Sequence, residues 1–314
     1  MFLYKYTSHD NALLTLRNLT FYCSNIDAFN DPFEGKFIYT PKIDSIARQI
    51  AITLSINSPM IVNNIELCKI LDSASPKKEI KIMRELRDLI SKHYNNNTIT
   101  NRETYYQVES EILDFLQKKH FMKHMGKSFV NDLPDQIVNS FIKTTVRMLG
   151  ILCLSKIKNH PLMWSHYAGN HSGLMFEIDS NKPLFIDNVK NFAMNVEYVD
   201  NIPSLSKEAI LGLNKKLFEE ENNELLKIHL ATKSEHWRYE EEVRYMVEKS
   251  DPKNNIQRIN PEAIKGIYIG LKTPEDSKAE ILSIAKKNFP STFIFETHLR
   301  KNSYELESIK LLLN

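Results

Sequence analysis

The sequence predicts an α+β fold: a central antiparallel or mixed sheet with segregated helices, broken by a helical insertion. Two observations carry this reading. Strand-type apolar runs stand at both ends of the chain and in its centre, while residues 42–147 repeat apolar side chains at helical spacing. The expected division is therefore 1–41 for the N-terminal strands, 42–148 for a helical insertion, and 149–314 for the rest of the α+β domain with its site.

Taken in order, Phe2–Tyr6 reads as a strand, with Leu3 and Lys5 on one face and Phe2, Tyr4 and Tyr6 on the other. Ser8 or Asp10 can cap a short helix over Asn11–Arg17, and Thr20–Ser24 is a second strand. Phe29-Asn-Asp-Pro-Phe-Glu-Gly35 is a turn, because Pro32 pushes Asp31 out of the helical region. Helical stretches follow over Ile43–Ile56, Ile65–Leu71, Lys78–His93, Tyr105–Phe121 and Gln136–Leu149. Lys118, Lys119, His120, Lys123, His124 and Lys127 gather basic charge there; a solvated helix face is the default reading and a phosphate contact the sharper one.

Gly150–Ser155 reads as a buried strand, then a short helix with Asn159 or His160 as N-cap and Pro161 at its first position, ended by Gly169. Leu174–Ile178 is the next strand and Asn195–Val199 a short one. Ser204 or Ser206 can cap a helix running to about Leu230. Val-Arg-Tyr-Met-Val alternation gives a strand over Glu242–Val247. A strand Ile264–Ile269 ending at Gly270, a helix Pro274–Lys287, a strand Thr292–Thr297 and a terminal strand or helix over Ser303–Leu312 complete the chain.

Composition excludes some classes. Eight glycines in 314 residues leave little material for a Gly-rich phosphate loop, and no GxGxxG or Walker pattern occurs. Cys23, Cys68 and Cys153 lie far apart, which fits free thiols in a reducing compartment, and no Cys/His pair has zinc-ligand spacing. The opening residues lack the apolar run of a signal peptide, and no segment approaches the roughly 18 apolar residues of a membrane span. A cytoplasmic protein without membrane partners is expected. The formal charge of +2 neither points to nucleic acid nor excludes it.

Two dense segments carry the candidate chemistry. The first holds Trp164, Ser165, His166, Tyr167, Asn170 and His171 between two apolar strands, where sites commonly sit. The second is Lys233-Ser-Glu-His-Trp-Arg-Tyr-Glu-Glu-Glu-Val-Arg244. With a strand starting near Glu240, the side chains of Glu240, Glu242 and Arg244 share one face. Burying two carboxylates and one Arg without partners is costly, so an edge strand in water is the plain alternative. The functional reading makes one Glu a base or a hydroxyl acceptor and lets Arg244 orient it or bind phosphate. A core role for Trp164 and Tyr167 with a satisfied His166 is the plain alternative in the first segment. A metal site from His166, His171 and a Glu follows no known ligand spacing, and none is expected. A nucleophilic Cys153 is disfavoured among Ile and Leu.

Leu3-Tyr-Lys-Tyr6, Phe29-Asn-Asp-Pro-Phe-Glu34, Cys153-Leu-Ser155, Met163-Trp-Ser-His-Tyr-Ala168, His171-Ser-Gly173, Trp237-Arg-Tyr-Glu-Glu-Glu-Val-Arg244 and Ile267-Tyr-Ile-Gly270, in this order, resemble the bacterial DUF2971 family. The resemblance implies that the Asn30–Glu34 loop, the Trp-Ser-His-Tyr segment and the acidic strand meet at one pocket. A further likeness is to the ADP-ribosyltransferase-like fold, in which a late-strand Glu holds the nicotinamide ribose. It implies NAD as cofactor and a role in toxin or phage-defence systems, with a protein or nucleic acid as acceptor. Glu242, Glu240, His166 and Tyr167 would be the catalytic candidates, and Tyr4, Lys5, Ser165, His171, Arg244, Asn30 and Glu34 the nucleotide-binding ones. Neither Arg nor His stands in the first motif here. A hydrolase or nuclease-like enzyme, or a non-catalytic nucleotide- or peptide-binding sensor, are the rival expectations.

Overall fold

In a computed structural model of the protein, the described residues are 1–39, 149–187, 191–205, 224–249 and 254–312, with isolated positions 85, 88, 89, 111, 114, 115 and 146. The chain divides into two compact units, one of residues 1–36, 148–203 and 226–314, the other of residues 37–147 and 204–225.

Chain order gives β1 (Phe2–Thr7), α1 (His9–Asn18), β2 (Thr20–Tyr22) and β3 (Ile38–Tyr39), then β4 (Leu149–Ser155), α2 (Pro161–Tyr167) and β5 (Leu174–Asp179). The run from Asn191 to Val199 breaks into β6 (Asn191–Asn195) and β7 (Glu197–Val199), followed by β8 (Ser204–Leu205), α3 (Glu224–Leu230) and β9 (Thr232–Ser234). β10 (Glu242–Glu248), β11 (Ile256–Arg258), β12 (Ile264–Ile269), α4 (Glu275–Asn288), β13 (Phe293–Leu299) and β14 (Leu306–Lys310) finish it. Among the described residues most expected elements are in place within a few residues, and the terminal segment is a strand.

The first unit is built on one mixed eight-stranded sheet in the order β14-β13-β12-β5-β1-β4-β10-β6. Only β12 and β13 are parallel, and α4 connects them. All other neighbours run antiparallel, as an α+β architecture requires. Alternation along the strands separates two cores. Leu3, Leu154, Phe176, Val243 and Ile267 pack with Leu16 of α1 and Ile281 of α4 in one. Tyr6, Met175 and Tyr268 pack with Met163 and Trp164 of α2 in the other. The Leu3/Tyr6 separation follows the alternation expected of β1. Trp164 is wholly buried and meets Tyr6 edge-on at 5.5 Å.

In the second unit, β3 pairs in parallel with β8. The helix expected to start at Ser204 does not: Ser204–Leu205 is extended because it takes Ile38–Tyr39 as a strand partner, and a tertiary pairing overrides a local cap signal. A start at Ser206 lies outside the described residues. So does the helical insertion expected over 42–148, apart from helical positions Glu85, Asp88, Leu89, Glu111, Asp114, Phe115 and Val146, and with it the basic cluster Lys118–Lys127.

Two glycines fix the junction that follows α2. A Cβ on Gly173 would lie 2.1 Å from the carbonyl oxygen of Thr7, and one on Gly270 2.3 Å from that of His171. The two backbones also bond directly, the Gly270 N–H donating to the Gly173 carbonyl at 3.0 Å. No rotamer change can relieve a Cβ–backbone clash. Gly173→Ala is therefore expected to cost at least ~1–3 kcal/mol of unfolding free energy, read from the urea midpoint at unchanged slope.

Candidate functional site

A split in the sheet makes room for a site. β1 and β4 share a single paired position, Tyr4 with Ser155. Farther along β4, Ser24 has taken the place beside Ile151. Between these points the Cys153 carbonyl accepts from the Lys5 ammonium at 3.2 Å, so a side chain closes a gap that backbone leaves open. A cavity of ≈320 Å³ lies at the split, lined among others by Tyr4, Lys5, Asn30, Glu34, His166, Tyr167, Lys233, Glu240 and Glu242.

The first wall is the turn after β2. Asp31 Oδ1 accepts the Phe33 N–H at 2.9 Å, the Asx turn that Asn-Asp-Pro favours. This turn carries Asn30 and Glu34 to the cavity. The second wall is α2. His160 stands extended before it and Pro161 begins it, where a missing N–H costs nothing. Met163 and Trp164 face the core, Tyr167 is half-buried and His166 is exposed at the mouth.

The third wall is the segment 233–244. Glu240 does not lie on a strand with Glu242, as alternation had suggested. It closes a 3-10 turn over Glu235–Glu240, and Glu241 then takes a left-handed conformation (φ 41°) before β10 begins. The turn nonetheless aims Glu240 back at the same cavity. Glu242 and Arg244 do share a strand face, opposite Ser155 and Cys153.

These side chains form one buried ion network. Arg244, with no exposed surface, donates to Glu242 through Nε (2.8 Å) and Nη2 (3.0 Å), to Glu34 (2.5 Å) and to the Leu230 carbonyl (2.7 Å). Lys233 Nζ lies 2.7 Å from Glu240, 3.3 Å from Glu34 and 3.4 Å from Glu242. Tyr167 donates to Glu240 at 2.5 Å, and Asn30 also bonds the Tyr167 hydroxyl. Lys233 was absent from the sequence candidates, although it opens the segment that holds the others. A charge count could have found it, since three acids cannot be buried against one Arg.

The environments push the carboxyls apart. Burial works against the Glu242 anion, but Arg244 and Lys233 outweigh it and hold its pKa at about 2. Burial also dominates at Glu240 and Glu34, and there Lys233, with Tyr167 or Arg244, offsets it only in part, so both stand above the ordinary value. Burial and then the Glu242 carboxylate push the Cys153 thiol well up, which argues against a nucleophile there. Burial lifts the Tyr4 phenol, followed by Glu177, to about 12.

A pH signature follows. A carboxyl raised on folding stabilises below its unfolded pKa and loses that contribution as pH climbs through the folded value. Glu242 behaves oppositely, its contribution vanishing as pH falls from about 4.5 towards about 2. Glu240→Gln removes one raised group. Relative to wild type, this variant is expected to gain stability as pH rises above the ordinary value of 4.5, and urea midpoints across pH 4–8 measure it. A difference that runs the other way refutes the raised Glu240.

Of the sequence candidates, Glu242, Glu240, His166, Tyr167, Tyr4, Lys5, Asn30 and Glu34 line the cavity, and Arg244 braces two of them from behind. Ser165 and His171 are not among the lining residues; they bond each other at 2.9 Å, and Ser165 also donates to the Pro161 carbonyl. Among the described residues no group of His, Cys, Asp and Glu is disposed to hold a metal, and no helix is long and apolar enough to cross a membrane.

Residues 163–245 match the model of DUF2971, a family described as a protein of unknown function. The matched span starts in α2 and ends in β10, so it contains two of the three cavity walls. No curated protein and no solved structure matches the chain.

Proposed function

We propose that the cavity breaks the glycosidic bond between a ribose and its base, with NAD as the donor and a protein or nucleic acid as acceptor of the ADP-ribosyl group. The observation that carries this reading is the pair of carboxyls on one cavity, Glu242 held ionised and Glu240 raised towards its neutral form. Groups pushed apart in this way take different roles in acid–base chemistry. NAD supplies a bond whose cleavage leaves positive charge on the ribose, its electron pair departing with nicotinamide. Glu242 is the fixed negative charge that such a centre needs. Glu240, oriented by Tyr167 and Lys233, takes the proton that the acceptor nucleophile loses. Lys5 has no carboxylate partner among the described residues and is the cation left for a phosphate. The residues fit the donor: aromatic Tyr167 and Phe29 stand beside the carboxyls, and the volume is at the low end of small-molecule sites, about 300–1,000 Å³.

The test is calorimetry with NAD together with an assay for released nicotinamide, with candidate acceptors present. Neither heat nor nicotinamide from folded protein disposes of the proposal. A binding module without turnover is the second reading, favoured by the fact that Glu34, Glu240 and Glu242 each already face a cation. It requires heat on NAD addition with no nicotinamide released.

A further inference from the structure

The mouth of the cavity carries a cluster of rings beside the ion network. Tyr239 is its hub. His160 stacks on it at 5.5 Å and 19°, Trp237 lies tilted at 6.1 Å, and His166 at 6.4 Å. His166 and Trp237 meet edge to face at 6.2 Å. None of the four is buried: His166 is exposed and the others are half-buried. Two segments distant in sequence, the α2 region and the 3-10 turn, have therefore brought four rings together without putting them in the core.

The cluster is tied to the cavity at two points. His166 belongs to both. The ammonium of Lys233 sits 4.7 Å from the centre of the Trp237 ring, so the cation that holds the three glutamates also fixes the indole. A cavity of ≈320 Å³ holds one half of a dinucleotide, and the other half must lie outside it, against whatever forms the mouth.

We propose that His160, His166, Trp237 and Tyr239 form a stacking subsite for a purine base, which seats the adenine of a dinucleotide whose other half enters the cavity. The dinucleotide part rests on the function proposed above; the base subsite rests on the rings. A flat π-system is what such a platform recognises, and stacking on it tolerates any base, so affinity comes from ring area and from the phosphates that follow.

ADP is a suitable probe, since it carries the base and phosphates but no nicotinamide. The chain has two tryptophans; Trp164 is buried, so quenching of emission reports on Trp237. ADP is expected to quench wild-type emission saturably, and to leave Trp237→Phe unchanged. Ribose 5-phosphate, which lacks the base, is expected to leave the wild type unchanged. Tyr239→Ala should raise the ADP dissociation constant ~5- to 150-fold, while Tyr239→Phe, which keeps the ring, binds as wild type does. The ribose 5-phosphate comparison needs only wild-type protein, so the test stands even if Tyr239→Ala fails to fold.

Absence of saturable quenching, equal quenching by ribose 5-phosphate, or unchanged affinity in folded Tyr239→Ala overturns the subsite. An oligodeoxyadenylate that saturates at lower nucleotide concentration than ADP overturns the dinucleotide assignment in favour of a nucleic-acid strand. Nicotinamide release without ADP quenching sinks this proposal alone. ADP quenching without nicotinamide release sinks the proposed reaction and leaves the base subsite.

Discussion

Arg244→Ala is expected to lower the unfolding free energy by about 3–5 kcal/mol, the cost of leaving buried carboxylates without their cation. Arg244 has no exposed surface, and its guanidinium bonds two glutamates, Glu34 and Glu242, which are themselves buried. Removing it leaves Lys233, among the described residues, as the only cation in contact with the three carboxyls. The folded state then protonates one or more of them or admits water, and either response costs stability. Lys cannot replace Arg here, because the fork reaches Glu242, Glu34 and the Leu230 carbonyl at once. The exposed Arg258–Asp187 pair is the control: Arg258→Ala is expected to leave the urea midpoint nearly unchanged, because solvent screens the pair. Urea denaturation of the two variants measures the contrast, and equal losses would refute the account of the buried network.

This network explains how far the sequence could be read. Strand alternation placed Leu3 and Tyr6 on opposite faces because pleat geometry is local, and a cap followed by Pro161 placed α2 for the same reason. The meeting of Asn30–Glu34, α2 and segment 233–244 came from ordered motifs, each too short to mean much alone. Two features were not legible. Glu240 reaches the cavity through a 3-10 turn and a left-handed Glu241, and alternation rules presuppose an extended backbone. At the split, β4 is paired with β1 at Ser155 and bridged by Ser24 at Ile151, contacts between segments distant in sequence that no local pattern encodes. Ser165 and His171, drawn from residue density and from the ADP-ribosyltransferase likeness, bond each other at 2.9 Å and are not among the cavity-lining residues.

If the proposed reaction is right, Glu242→Gln is expected to slow nicotinamide release by ~10²–10³-fold, the effect of losing one preorganised electrostatic contact to the transition state. The change keeps the side chain's shape, removes the charge and replaces one of the two oxygens that accept from Arg244 by an amide donor. Binding of NAD should change much less than the rate, since the charge on the ribose develops as the bond breaks. Glu240→Gln tests the other role and should differ in kind. With Glu240 as the base, wild-type rate falls as pH drops through its raised pKa, so this variant loses that acidic limb and retains a slow, flatter profile, ~10²–10⁴-fold below wild type. Glu242 stays ionised down to about pH 2 and contributes no limb in the assay range. Two carboxyls on one cavity thus give two separable kinetic signatures. A Glu242→Gln enzyme that is folded and as fast as wild type would remove the central charge from the scheme, and the proposed reaction with it.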